Sequence, residues 1–214
     1  FENIYILGDF FDVWPGTNRY LTETFQPILQ ILASLVQEGR KITYVEGNHD
    51  FRLGKYFSEK LGIRVVPNEL VEIWNGRKIY MAHGDLGNPS EKSYHALRYV
   101  LRTRVIQKVL GTIPPPLLFR LGEGASRLSR NFQKKVPPDE AKVRLIYRET
   151  AKGHFAAGYD VVIMGHTHYP DHFTWNEAGR ECHYYNLGDW VKNFTYLEFD
   201  GSEFYTRTHP VKNL

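Results

Sequence analysis

Carboxylate, amide and imidazole groups recur in four short segments of this chain, and together they form a donor set for divalent cations. The segments are Gly8-Asp9, Gly47-Asn48-His49-Asp50, His83-Gly84-Asp85 and Gly165-His166-Thr167-His168. Oxygen and nitrogen donors of this kind suit Mn²⁺, Fe²⁺, Zn²⁺ or Mg²⁺. Asp9 has two oxygens and can bridge two ions. Asn48 offers a neutral carbonyl oxygen, and His83, His166 and His168 offer one imidazole nitrogen each. Two such ions ~3.5–4 Å apart clamp a phosphoryl group, neutralise its charge and acidify the water that attacks phosphorus. His49 is the natural general acid for the departing oxygen, with Asp50 placed to orient it. Asp12 and Asp85 read as helix-cap or supporting residues.

These donors need a scaffold that brings distant segments together. Each motif follows an apolar, strand-like run, and strand ends are where ligands converge in an α/β fold. The runs include Ile4 to Leu7, Ile42 to Val45, residues 78–82 and Asp160 to Met164. The glycines beside the ligands let the backbone turn sharply there. Thr24 to Glu38 has helical apolar spacing with a stop at Gly39, and Phe51 to Leu61 predicts a second helix stopped by Gly62. Residues 63–73 and 78–82 form strands joined by Asn75-Gly76, a hairpin signal. Ser90 to Leu110 is helical, Pro114-Pro115-Pro116 breaks it, and Leu117 to Leu128 and Asp139 to Ala157 form two more helices. The tail from His172 to Thr208 alternates like antiparallel strands. The fold class is therefore α/β with a helical insertion. One domain spans 1–214, with the insertion at about 89–157. Phe1 to Leu7 already reads as a strand, so native sequence is expected upstream.

Charge singles out the insertion. The chain carries a net +3, but residues 91–152 hold 14 Lys and Arg against 5 Asp and Glu, or +9, which leaves 3 − 9 = −6 for the rest. A basic segment within an acidic protein suggests a surface for phosphate, nucleotide or acidic lipid. Interleaved stacking aromatics are not evident there, which argues against nucleic acid. Cys182 is the sole cysteine, so no internal disulfide can form, as suits a reducing compartment. No apolar run reaches the ~18 residues that cross a bilayer.

The ordered set GD, GNHD, HGD and GHTH closely resembles the calcineurin-like metallophosphoesterases over nearly the whole chain. The resemblance implies a β-sandwich flanked by helices. It also implies that Asp9 bridges two metal ions, that Asn48, His83 and His166 hold one, and that His168 holds the other. That family opens with a strand ending in Asp-x-His, which nothing before Asp9 matches, so the first strand is expected to be missing from this chain. Gly8-Asp9-Phe10-Phe11-Asp12-Val13-Trp14, Gly47-Asn48-His49-Asp50-Phe51, Leu187-Gly188-Asp189-Trp190 and the insertion after HGD look like the UDP-2,3-diacylglucosamine diphosphatases of lipid A synthesis. The best-known members of that group carry Arg where this chain has His49; histidine there is the pattern of the broader superfamily. The resemblance implies Mn²⁺-type metals and cleavage of a UDP-linked diacylated sugar to UMP and the acylated sugar phosphate. It implies a cap whose apolar inner face holds acyl chains, and cytoplasmic work at the inner membrane face with peripheral contact through the cap. Glu91 and Tyr94 fall where that group contacts the sugar–phosphate portion. Arg52, Lys134 and Lys135 are candidates for phosphate contact. An amphipathic helix with Arg98, Arg102, Arg104 and Lys108 among Leu97, Leu101, Val105 and Val109 would meet acyl chains and head groups. Two alternatives stay open. One is a phosphodiesterase or phosphomonoesterase of the same fold acting on a nucleotide or phosphoprotein. The other is a metal-free binding scaffold.

Overall fold

The computed structural model describes residues 1–135 and 139–210, with the backbone alone at 129, 130 and 132–135. The chain is mixed α/β, with sheets flanked by helices. It divides into two compact units, Phe1–Asn68 with Pro89–Pro137, and Glu69–Asn88 with Pro138–Leu214.

In the first unit, strands β1 (Asn3–Leu7), β2 (Lys41–Val45) and β3 (Arg64–Val66) form a parallel sheet in the order β1-β2-β3. Leu7 lies opposite Val45, so Asp9 and Gly47 each follow two residues past the end of a paired strand. Helices α1 (Arg19–Thr24) and α2 (Gln26–Gln37) lie between β1 and β2 in the chain. The helix expected to start at Thr24 is split there: Phe25 caps α1, and Pro27 fits the opening turn of α2, where no N–H partner is needed. Leu29 and Leu32 of α2 are buried with Phe11, Trp14, Tyr44 and Phe57. Burial of each large apolar side chain contributes about 1.5–3 kcal/mol. The helix expected over Phe51 to Leu61 shrinks to a single π-helical segment, Tyr56–Lys60. Arg52 and Gly54 both have left-handed backbone (φ 58° and 62°), which a right-handed helix cannot continue through.

Three further helices belong to this unit: α3 (Lys92–Leu101), α4 (Arg104–Thr112) and α5 (Pro115–Lys135). The single helix expected over Ser90 to Leu110 breaks at Arg102-Thr103, where the Thr103 hydroxyl accepts from the Ile106 amide as the N-cap of α4. Conversely, α5 runs longer than expected despite Gly122 and Gly124. Gly122 is used for close approach, since a Cβ there would sit 2.5 Å from Val13 Cγ1. Phe119 anchors the same helix edge-on against Tyr20 and Phe25.

The second unit holds a five-stranded sheet in the order β4-β5-β6-β8-β7, made of β4 (Glu69–Trp74), β5 (Arg77–Ala82), β6 (Val161–Met164), β7 (Asp171–Glu177) and β8 (Arg180–Asn186). The Asn75-Gly76 turn joins β4 to β5 with both residues left-handed, as a two-residue hairpin requires. Strands β5, β6 and β8 are mutually parallel. Strands β9 (Thr195–Phe199) and β10 (Phe204–Thr208) form a separate hairpin. Helix α6 (Glu140–Ala156), capped by Asp139, buries Tyr147, Ala151 and Phe155 among Val162, Met164 and Tyr184. Among the described residues of the stretch expected as an insertion, α3, α4 and α5 thus group with the first unit and α6 with the second. Among the described residues, no helix is long and apolar enough to cross a membrane.

Candidate active site

In the first unit, the parallel pair β1 and β2 delivers two loops side by side, and one carboxylate ties them together. Asp50 is fully buried. Its Oδ1 accepts from the main-chain amides of Asp9 (2.8 Å) and Gly47 (3.0 Å). Its Oδ2 accepts from the amides of Phe10 (2.6 Å) and Phe11 (3.1 Å) and from the Tyr44 hydroxyl. Burial, and then the negative charge of Asp9, raise the Asp50 carboxyl to about 6. Asp9 Oδ1 in turn accepts from the His49 amide at 2.9 Å, which fixes that oxygen. The turn is tight: Gly8 and Asp9 both have positive φ (78° and 53°), a conformation costing a non-glycine residue about 1–3 kcal/mol. Gly47 has no room for a side chain. A Cβ would fall 2.3 Å from Asp9 Oδ1 and 2.4 Å from its nitrogen.

His49 is half-buried, and its Nδ1 lies 2.9 Å from the Asp12 carbonyl oxygen. A carbonyl only accepts, so Nδ1 carries the hydrogen. The partner that orients the ring is therefore the Asp12 main chain, and the Asp50 carboxylate expected in that role holds the loops instead. The Trp14 amide donates to the His49 carbonyl (2.7 Å) and the Phe51 amide to the Trp14 carbonyl (3.0 Å), so the two loops pair like parallel strands on both sides of Asp50.

Arg102, at the end of α3, reaches the same loop. Its guanidinium donates to the carbonyls of Gly47 (2.9 Å) and Pro67 (2.7 Å) and to the Glu46 carboxylate (3.4 Å). Burial raises the Glu46 carboxyl, and the charge of Arg102 opposes that rise. Arg98 donates to Asn68 Oδ1 at 3.2 Å. These two arginines, expected to meet head groups, are engaged with the body of their own unit. Leu97, Val105 and Val109 are exposed on the same helices, as are Leu117 and Leu121 of α5. Arg52 is half-buried in the loop after Asp50, Glu91 is exposed at the start of α3, and Tyr94 is half-buried on α3. The side chains of Lys134 and Lys135 lie outside the described residues.

In the second unit, Met81 pairs with Ile163 on adjacent parallel strands, so the chain beyond their ends places His83 beside His166. His166 Nδ1 and His83 Nε2 stand 3.1 Å apart. Two nitrogens ~2.1 Å from one cation and at about a right angle would be about 3.0 Å apart, so the pair fits a shared metal ion. His83 is buried, and its carbonyl accepts from the Gly165 amide at 2.8 Å. His166 and His168 both have left-handed backbone (φ 67° and 65°), so strain again concentrates on expected ligands. Supports from three elements hold these loops. The Tyr147 hydroxyl donates to the Gly84 carbonyl (2.8 Å) and the Thr150 hydroxyl to the Gly87 carbonyl (2.6 Å), both from α6. The Asn186 amide at the end of β8 donates to the Gly165 carbonyl at 2.9 Å. Asn193 donates to the His168 carbonyl (2.9 Å) and to Asp189 Oδ2 (2.8 Å). Asp189 Oδ1 accepts from the amides of Val191, Lys192 and Asn193. Asn193 and Tyr147 escape a search for ligand types because they act on carbonyls. The Leu187-Gly188-Asp189-Trp190 run is the sequence signal near Asn193.

The first unit thus carries Asp9, Asn48, His49 and Asp50 on two adjoining loops, and in the second His83 and His166 meet, with His168 two residues farther along the chain. A family model described as calcineurin-like phosphoesterase matches residues 2–170. Among similar proteins, the UDP-2,3-diacylglucosamine hydrolase of Aromatoleum aromaticum is 29% identical over 203 residues, covering 94% of this chain and 81% of that protein. The protein of the same name from Neisseria meningitidis serogroup B (strain MC58) is 29% identical over 199 residues, covering 92% and 80%. That of Psychromonas ingrahamii is 26% identical over 213 residues, covering 98% and 85%. Carboxylate and imidazole donors on strained turns, together with a family match over most of the sequence, lead to one conclusion: the chain belongs to the calcineurin-like phosphoesterase family and is a metal-dependent phosphoesterase.

Proposed function

We propose that this chain hydrolyses UDP-2,3-diacylglucosamine to UMP and 2,3-diacylglucosamine 1-phosphate, with two divalent cations, Mn²⁺ by preference, held by Asp9, Asn48, His83, His166 and His168. Such cations supply charge neutralisation of the phosphoryl group and an acidified water. The single observation that carries the substrate reading is the set of relatives of that name, matched over more than nine-tenths of this chain. The exposed apolar side chains of α3, α4 and α5 support it, since acyl chains need an apolar surface.

The residues of the chain have separable roles. Asp50 fixes the Asp9 turn against the Gly47 turn, so the bridging carboxylate is positioned through the main chain that carries it. Asn48 lends its amide to a cation and to a phosphoryl oxygen. His49 gives a proton to the departing oxygen. With Nδ1–H committed to the Asp12 carbonyl, the transferable proton sits on Nε2, and the ring acts as an acid in its cationic form. Glu91, Tyr94 and Arg52, with Lys134 and Lys135, bind the sugar–phosphate portion. The protein works on the cytoplasmic side of the membrane, with the cap helices against the lipid surface.

The test is a Mn²⁺-dependent turnover assay on the intact gene product, with UDP-2,3-diacylglucosamine and bis-p-nitrophenyl phosphate in parallel and products identified by mass spectrometry. Release of UMP and the acylated sugar phosphate, lowered about 10²–10⁴-fold by His49→Ala, is the expected result. Cleavage of the simple diester alone would discard the lipid substrate.

A further inference from the structure

The cations of α3 and α4 divide into two sets. Arg98 and Arg102 are engaged with Asn68, Glu46 and the carbonyls of Gly47 and Pro67. Arg104 and Lys108, one turn apart on α4, line instead a recess of about 240 Å³ with Gln107 and Arg52. Three cations and an amide face this space, and among the described residues no acidic side chain lines it. Among the described residues, no carboxylate forms an ion pair with Arg52, Arg104 or Lys108.

The recess is built rather than incidental at its Arg52 wall. Arg52 has a left-handed backbone (φ 58°), and its guanidinium lies over Gly16, where a Cβ would come within 3.4 Å of Cζ and Nη1. Nη1 also points at the Pro15 carbonyl at 3.5 Å. Gln107 is held from below, its amide donating to the Arg102 carbonyl at 2.9 Å. Three like charges around one space repel each other, and an oxyanion between them removes that cost. Guanidinium forks and an ammonium match the oxygens of a tetrahedral phosphoryl group.

We propose that this recess is an anion site for a phosphoryl group, formed by Arg52, Arg104, Gln107 and Lys108. None of the four is among the proposed metal ligands, so the site stands whether or not the metal reading does. Its chemistry fits a phosphoryl group of a soluble substrate and the phosphate of a lipid head group alike.

The test is titration of the intact gene product with inorganic phosphate by calorimetry, after removal of metals with EDTA. Arg104→Gln with Lys108→Gln is the variant, its folding checked by circular dichroism. Both side chains are exposed, so the fold is expected to survive. The expected result is phosphate binding that weakens with added salt and falls about a hundredfold in the double variant, about tenfold for each charge-assisted hydrogen bond removed. Flotation with phosphatidylglycerol vesicles then separates the sources. Loss of flotation in the variant assigns the site to a lipid head group, and flotation at the wild-type level assigns it to a soluble phosphoryl compound. Absence of phosphate binding by the metal-free protein, or equal affinity in the double variant, overturns the proposal. So does loss of bis-p-nitrophenyl phosphate turnover in the double variant, since that would place the two cations in the hydrolytic step itself.

Discussion

Replacing Asp50 with Asn keeps the shape of the side chain and removes half of its accepting atoms. In the native protein, Oδ1 serves the amides of Asp9 and Gly47, and Oδ2 serves the amides of Phe10 and Phe11 and the Tyr44 hydroxyl. An asparagine amide nitrogen must occupy one of the two positions. Either way, two main-chain N–H groups lose their acceptor, while the Tyr44 hydroxyl can rotate to accept. Each stranded buried N–H costs about 1–3 kcal/mol, so the gross loss is roughly 2–6 kcal/mol. Removing a buried charge beside Asp9 offsets part of it, which places the expected net loss at about 2–4 kcal/mol. That is a large share of the 5–15 kcal/mol typical of a whole domain. Urea unfolding of the metal-free protein reads it as a lower midpoint with an unchanged slope. Tyr44→Phe, which deletes one donor only, gives a graded check at about 1 kcal/mol. The pH dependence has a definite sign. The folded Asp50 value of about 6 lies above the ordinary carboxylate value near 4. The folded form therefore binds more protons between those limits, and this group's stabilising contribution, full below about pH 4, is lost as pH rises through 6. Asp50→Asn removes that part of the pH dependence. A variant within about 0.5 kcal/mol of wild type at pH 7, with the same pH profile, would refute the role of this carboxylate as the shared acceptor.

Three further substitutions probe the supports of the two half-sites. Gly47→Ala drives a Cβ into Asp9, so it is expected to destabilise by at least about 1–3 kcal/mol and to lower metal content measured by plasma mass spectrometry. Asn193→Ala frees the His168 carbonyl; thermal unfolding should shift by only about 1 kcal/mol, while Mn²⁺ affinity drops about tenfold or more. Arg102→Ala leaves Glu46 buried beside an unfilled Gly47 carbonyl, with an expected cost of about 3–5 kcal/mol in urea unfolding and no rescue by Arg102→Lys, which cannot reach three acceptors in a fork.

The strand-ending motifs were legible because they use chemically distinctive residues at sites where glycine must follow or precede. The φ values of Gly8, Asp9, Gly84, His166 and His168 give that pattern its physical cause. The helical stretch after HGD was legible in outline, but not its break at Arg102. The apolar spacing does not mark the Thr103 N-cap that starts α4, and Arg102 at the break reaches acceptors at Gly47 and Pro67, more than thirty residues away in sequence. For the same reason, Arg98 and Arg102 read as surface cations when they are internal latches. The helix expected after Asp50 failed because apolar spacing says nothing about the left-handed backbone at Arg52. The role of Asp50 was missed because main-chain amides, which every residue carries, are its partners. Tyr147 and Asn193 were missed in the same way, since a residue that grips a carbonyl leaves no motif.

Metal content measured against turnover tests the central claim most directly. The intact gene product should hold two Mn²⁺ per chain, lose turnover when both are removed with EDTA, and regain it when Mn²⁺ is returned. His83→Ala, which deletes one of the two nitrogens that stand 3.1 Å apart, should not regain it at the same Mn²⁺ concentration. Turnover that persists after complete metal removal, or full recovery in His83→Ala, would contradict the metal centre on which the proposed reaction depends.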